Sequence, residues 1–249
     1  MNDADRWLLH FGSPAGARVD LFCFPYAGGS PAIFQPWKAA LPATIHLVGV
    51  QWPGRGTLLG VPPFRQVIPL VQEIAGILRP ELRRPFVFFG HSLGSLIAFE
   101  LARELRSRSD ISPVHLIVSG RRAPKMGKRK PLTHQLPDSA FISELQRLNG
   151  CPPGVLSNPE LLKLFLPVLR ADFEMDETYI YATATPLECP ITAFGGARDP
   201  GVSPSDLRTW QCETSAQFSM RTFSGDHFFI QNARKQVIET VFNEISYVL

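Results

Sequence analysis

Phe86-Val87-Phe88-Phe89-Gly90-His91-Ser92-Leu93-Gly94 decides the fold: an apolar run enters Gly-x-Ser-x-Gly and continues into a helical pattern. An apolar run without alternation suits a strand covered on both faces. Beyond it, Leu93, Ile97, Leu101 and Leu105 recur every four residues beside small Ser95, Ala98 and Ala102, which predicts a helix packed closely on a sheet. Strand, sharp turn and helix make the elbow that lifts a serine hydroxyl above a sheet edge. Such a turn strains the serine, and glycines avoid side-chain clashes where strand and helix nearly touch. Ser92 would project at the helix start, where unpaired N–H groups and the helix dipole favour negative charge. It is the candidate nucleophile.

Working outward, further strand candidates lie at 19–24, 45–50, 114–119, 191–195 and 220–223, with helical stretches at 64–82, 93–108 and 232–248. Their order reads as βαβ units, so the fold class is α/β, with a mostly parallel central sheet flanked by helices. The rhythm breaks between residues 122 and 185. Two helical patterns (138–149 and 159–172) and no convincing strand fall there, which predicts a helical lid over the C-terminal sheet edge, where such sheets bind ligands. The core would then be residues 1–121 and 186–249.

A serine hydroxyl needs a histidine to take its proton and a carboxylate to fix that histidine's tautomer. In the α/β-hydrolase fold these partners follow the serine in the order acid, then histidine, which removes His10 and His46. His91 sits inside the elbow, His115 within a strand and His134 in the insertion. His227 follows the last strand and precedes the last helix, where a loop reaches the sheet edge. Asp199, just past the strand at 191–195, is the candidate acid. Asp226 reads as a loop-forming or capping residue, and Asp172 and Asp176 as serving a helix end or the surface. The oxyanion requires two N–H donors, one from Leu93 after the nucleophile and one from a loop after an earlier strand. Phe24-Pro25-Tyr26-Ala27-Gly28-Gly29-Ser30 is such a loop, and Ala27 the expected donor. A phosphate-cradling role is disfavoured because the loop lacks a Gly-Lys-Ser/Thr end.

A net charge of +3 is too small to imply nucleic-acid binding across the surface. Locally, Arg121, Arg122, Lys125, Lys128, Arg129 and Lys130 fall together with no acid among them, either a solvated loop or a contact for an acidic partner. No apolar run approaches the roughly 20 residues of a membrane span. The N-terminal residues lack a basic, apolar secretory signal, so a cytoplasmic protein is expected. Cys23, Cys151, Cys189 and Cys212 are widely spaced, suggesting buried or inert thiols rather than a metal site or disulfide framework. Phe141, Phe165 and Phe173 would either line an acyl channel or fill core. Nothing demands more than a monomer.

The chain resembles the type II thioesterases, stand-alone enzymes accompanying polyketide synthases and nonribosomal peptide synthetases and related to the medium-chain thioesterase of fatty acid synthase. The resemblance spans nearly the whole length. It rests in order on the 24–30 loop, Gln51-Trp52-Pro53-Gly54-Arg55-Gly56, the elbow, Leu169-Arg170-Ala171-Asp172-Phe173, Gly195-Gly196-Ala197-Arg198-Asp199, and Gly225-Asp226-His227-Phe228-Phe229. Tyr26 stands where many members carry histidine or phenylalanine. The resemblance implies Ser92, Asp199 and His227 as the triad, Ala27 and Leu93 as the oxyanion donors, no metal or bound cofactor, and an acyl or peptidyl carrier protein as partner. The implied reaction is hydrolysis of acyl groups from the carrier's phosphopantetheine arm. A carboxylesterase or lipase acting on oxygen esters, and a non-catalytic synthase-binding module, are the alternatives.

Overall fold

The computed structural model describes residues 3–127, 132–148 and 158–249. Among them seven strands form one sheet: β1 (Leu8–His10), β2 (Val19–Phe24), β3 (Ile45–Val50), β4 (Phe86–His91), β5 (His115–Ser119), β6 (Ile191–Gly196) and β7 (Phe218–Phe223), in the order β1-β3-β2-β4-β5-β6-β7. Only β1 runs antiparallel to its neighbour. The helices are α1 (Asp3–Trp7), α2 (Val67–Leu78), α3 (Leu93–Ser109), α4 (Asp138–Arg147), α5 (Pro159–Thr178), α6 (Pro204–Arg208), α7 (Phe229–Asn232) and α8 (Arg234–Ile245).

The unbroken apolar strands have the cause inferred for them. Successive side chains of a strand point to opposite faces, and here both faces are covered. Phe22, Phe24, Phe86 and Phe88 pack with Leu70, Ile74, Ile97 and Leu101 of α2 and α3. Leu21, Cys23, Val87 and Phe89 pack with Val237, Val241 and Ile245 of α8. Each such side chain contributes about 1.5–3 kcal/mol on burial.

Differences from the sequence reading have local reasons. Strand β1 escaped it because three residues carry no periodicity; the strand exists through pairing of Leu8 with Val50 and His10 with Val48 on the edge of β3. Helix α2 begins at Val67 rather than at 64. Pro69 can occupy a first turn, where its missing N–H is not needed, but in a helix begun at 64 its ring would meet the carbonyl of Arg65. Helix α5 runs six residues past the expected 172, because Met175 extends the buried stripe of Val168, Leu169, Ala171 and Asp172. The C-terminal helical stretch is broken into α7 and α8 at Ala233. Among the described residues, no helix is long and apolar enough to cross a membrane.

The strand order prepares a site. β3 lies on one side of β2 and β4 on the other, so connections leaving the ends of β2 and β4 diverge and open a crevice. Phe24 pairs with Gly90, which sets the 25–29 loop beside the elbow.

Candidate active site

At the elbow, Ser92 has φ 54° and ψ −115°, a conformation that L-residues avoid. Surrounding contacts impose it. Ser92 N–H donates to the Ser119 carbonyl at 2.7 Å. The Ser95 hydroxyl donates to the Gly90 carbonyl at 2.7 Å and accepts the Ser119 N–H at 2.9 Å, stapling β4, β5 and the first turn of α3 together. Glycine is required at two positions by contact rather than by φ. A Cβ on Gly90 would stand 2.3 Å from the Gly94 carbonyl oxygen, and one on Gly94 would stand 2.1 Å from that of Phe24. Because these neighbours are backbone, they cannot swing aside. Gly94→Ala is expected to cost about 3 kcal/mol or more and to lower Tm by roughly 6–12 °C; a melting curve within 2 °C of the parent would contradict this.

His227 and Asp199 meet as expected. Nδ1–H of His227 donates to Asp199 Oδ2 at 2.7 Å, and the carboxylate is 1% exposed. Its other oxygen, Oδ1, accepts the Gly201 N–H at 2.8 Å. The two carrying loops are sewn together: Ala197 N–H donates to Phe223 O and Arg198 N–H to Gly225 O, each at 2.8 Å. Asp226 does cap its own loop, accepting the Phe228 N–H at 2.9 Å. A Cβ on Gly120 would lie 3.3 Å from His227 Cε1 and 2.7 Å from His91 Cε1, which sets the imidazole beside the end of β5 and the elbow. His91 is fully buried against His227, Phe228 and Phe229, with Nδ1 2.8 Å from Ser119 Oγ. Burial, then the neighbouring His227, push its pKa well below the ordinary histidine value, so it supports His227 as a neutral ring.

The 25–29 loop is a tight turn in which Gly29 N–H donates to the Tyr26 carbonyl at 2.8 Å and Gly28 takes φ +72°. Positive φ at the third residue suits glycine, as in a type II turn. The turn carries Ala27, and the backbone of Gly94, one residue past Leu93, abuts the Phe24 and Pro25 carbonyls. Both expected oxyanion donors therefore belong to segments in contact.

Asp172 is not at a helix end or on the surface. It lies in the interior of α5, its side chain 0% exposed and paired with Arg55, itself 3% exposed. Sequence reasoning gave Arg55 no role and Asp172 only that of a helix end or the surface. The available signal was an acid on the apolar stripe of α5, spaced four and three residues from Val168 and Met175. Asp176 is the more exposed acid and pairs with Arg121. That pairing takes Arg121 out of the basic patch: its side chain is 17% exposed, and its carbonyl accepts the Trp210 Nε1–H. Arg122 donates to Gly127 O, and Lys125 is exposed. Lys128, Arg129, Lys130 and Cys151 lie outside the described residues. Cys23 and Cys189 are buried and free; burial raises both thiols, Cys189 to about 12. Cys212, expected buried or inert, is exposed.

Phe141 is fully buried in a small cluster with Leu145 and Leu169, against which Phe165 and Phe173 pack. A separate cavity of about 350 Å³ opens at the opposite sheet edge, lined by His115, Thr192, Ser219, Arg221, Glu244 and Tyr247 among others. Its polar groups bond one another, and burial lowers His115 to about 4, leaving a neutral ring.

A family model described as a thioesterase domain matches residues 19–245. Gramicidin S biosynthesis protein GrsT of Aneurinibacillus migulanus is 40% identical over 249 residues, covering 100% of this chain and 97% of that one. Linear gramicidin dehydrogenase LgrE of Brevibacillus parabrevis is 41% identical over 239 residues, covering 95% and 91%. Among solved structures, the type II thioesterase BorB from the borrelidin biosynthetic cluster superposes with a TM-score of 0.89 at 33% identity, covering 98% of this chain and 99% of that one.

Proposed function

The chain belongs to the thioesterase family, and from that premise we propose that it hydrolyses acyl groups from the phosphopantetheine arm of acyl or peptidyl carrier proteins. Its task is to clear stalled chains from a polyketide or nonribosomal peptide synthase in the cytoplasm. The observation that carries the reading is the His227–Asp199 pair at 2.7 Å beside the strained Ser92 elbow, in a chain alike over 98% of its length to a type II thioesterase.

In this reading Asp199 holds Nδ1–H of His227, so that Nε2 takes the Ser92 proton as Oγ attacks the thioester carbon. Charge develops on the carbonyl oxygen, and the N–H groups of Ala27 and Leu93 receive it. The tetrahedral intermediate collapses, the C–S bond breaks, and His227 returns its proton to the departing pantetheine sulfur. Water, deprotonated by the same imidazole, then attacks the acyl-Ser92 ester; the acid leaves and Ser92 regains its proton. The scheme needs no metal or bound cofactor.

The dehydrogenase name of one relative does not transfer readily. The glycine loop after β2 lacks the Gly-x-Gly-x-x-Gly pattern that admits a dinucleotide pyrophosphate, and the Gly28 N–H is already committed to Asp172 at 2.6 Å. A comparison of acyl-carrier and N-acetylcysteamine thioesters with nitrophenyl esters tests the proposal. We expect kcat/KM at least tenfold higher on the carrier-bound chain. A preference for oxygen esters would make the protein a carboxylesterase, and failure of a fluorophosphonate to label Ser92 would leave a binding module.

A further inference from the structure

The buried ion pair of Arg55 and Asp172 spends its hydrogen bonds on the turn that carries Ala27. Arg55 Nη2 donates to both carboxylate oxygens, at 2.7 and 2.9 Å. Trp52 approaches the same carboxylate through Nε1 at 3.4 Å, and the guanidinium stacks 4.4 Å above the Trp52 ring. Two further bonds of the pair reach the loop after β2, while the buried Arg55 Nε has no partner among the described residues. Asp172 Oδ2 accepts the Gly28 N–H at 2.6 Å, and Arg55 Nη1 donates to the Gly29 carbonyl at 3.1 Å.

These bonds hold the turn from one end to the other. A peptide unit is planar and trans, so the Ala27 N–H points opposite to the Tyr26 carbonyl. That carbonyl is fixed by the Gly29 N–H at 2.8 Å. The ion pair fixes the next unit through the Gly28 N–H and the unit after Gly29 through the Gly29 C=O; the unit between them is held by the turn's own Gly29 N–H bond. Leu169 adds a steric stop, since a Cβ on Gly28 would stand 2.3 Å from its Cδ2. The direction of the Ala27 N–H is thus set by side chains more than a hundred residues apart in sequence, one of them on α5.

We propose that Asp172, neutralised by Arg55, is the positioning residue of the oxyanion hole, and that seating of α5 completes the hole. The inference rests on Ala27 being an oxyanion donor. Helix α5 is built for this division: its residues before Pro167 are largely exposed, whereas Val168, Leu169, Ala171, Asp172 and Met175 are buried. The seated half carries the carboxylate, so any movement that unseats it removes the acceptor of the Gly28 N–H and frees the turn. A donor aligned before reaction stabilises charge without reorganisation, whereas a loose one does not.

The test uses the full-length chain with Asp172→Asn and, because a lone buried Arg55 destabilises the fold, the double variant Arg55→Met/Asp172→Leu. Active sites are counted by fluorophosphonate labelling taken to completion. Kinetics are read on an acyl N-acetylcysteamine thioester, and affinity on two matched inhibitors: a trifluoromethyl ketone, whose adduct with Ser92 bears an oxyanion, and a thioether, which cannot form one. We expect kcat per labelled site to fall about 30- to 100-fold in the double variant, within the range for one oxyanion donor, with KM within threefold, and to fall less in Asp172→Asn, whose amide oxygen can still accept the Gly28 N–H. Trifluoromethyl ketone affinity should fall by the same factor as kcat and thioether affinity should hold. Parental kcat per site in the double variant, or equal loss of affinity for both inhibitors, would overturn the proposal. A parent chain that hydrolyses no thioester would instead sink the functional reading, which the inhibitor comparison distinguishes.

Discussion

Ser92→Ala is expected to lower kcat/KM on a carrier-bound thioester by about 10⁴- to 10⁶-fold while leaving substrate binding almost unchanged. The loss is large because the hydroxyl is the atom that forms the acyl-enzyme; with it gone, only binding and the oxyanion donors remain. The same position allows an internal check on the elbow. Ser92 sits at φ 54°, ψ −115°, and such strain costs on the order of 1–3 kcal/mol. Alanine keeps the strain, but glycine relieves it, offset by the roughly 0.5–1 kcal/mol entropy of an added glycine. Ser92→Gly should therefore be as inactive as Ser92→Ala yet melt about 2–4 °C higher. Calorimetry with an acyl-carrier hydrolysis assay reads both. Hydrolysis within tenfold of the parent in either variant would remove Ser92 from the reaction.

The elbow was legible in the sequence because its determinants are local. Strand, glycines, serine and helix follow one another between Phe86 and Leu105, and each glycine is forced by a contact only a few residues away or on the paired strand. Asp199 and His227 were legible for another reason: Asp199 stands just past the apolar strand β6, His227 follows the last strand, and chain order excludes most competitors. The clamp of Arg55 and Asp172 was not legible as chemistry, although both residues lie in motifs that carry the family likeness. Their pairing spans 117 positions, and it depends on where α5 ends. A helix stopping at residue 172 would offer Asp172 as a terminal acid; the actual helix, extended by the burial of Met175, presents it to the core. Arg121 was misread for a similar reason, since a run of basic residues says nothing about Asp176, which approaches it from another element.

Asp199→Asn is the second large effect, and its mechanism is written in the hydrogen bonds of the acid. Oδ1 of Asp199 accepts the backbone N–H of Gly201 at 2.8 Å, and Oδ2 accepts Nδ1–H of His227 at 2.7 Å. Asparagine offers one acceptor and one donor group. Since the Gly201 N–H can only donate, the amide oxygen must stay on it, and the amide NH₂ then faces His227. Nδ1 becomes an acceptor, and the ring proton moves to Nε2, the nitrogen that must receive the Ser92 proton. The base is thus present, correctly placed and in the wrong tautomer, for which a loss of about 10⁴ in kcat is expected. Shape is preserved, so Tm should remain within a few degrees of the parent, and KM within threefold. Proton NMR supplies a readout independent of turnover: the downfield Nδ1–H resonance expected of the parent from its 2.7 Å bond to Asp199 should be absent in the variant. A variant that kept both that resonance and more than a tenth of parental kcat would show that another group fixes the tautomer of His227.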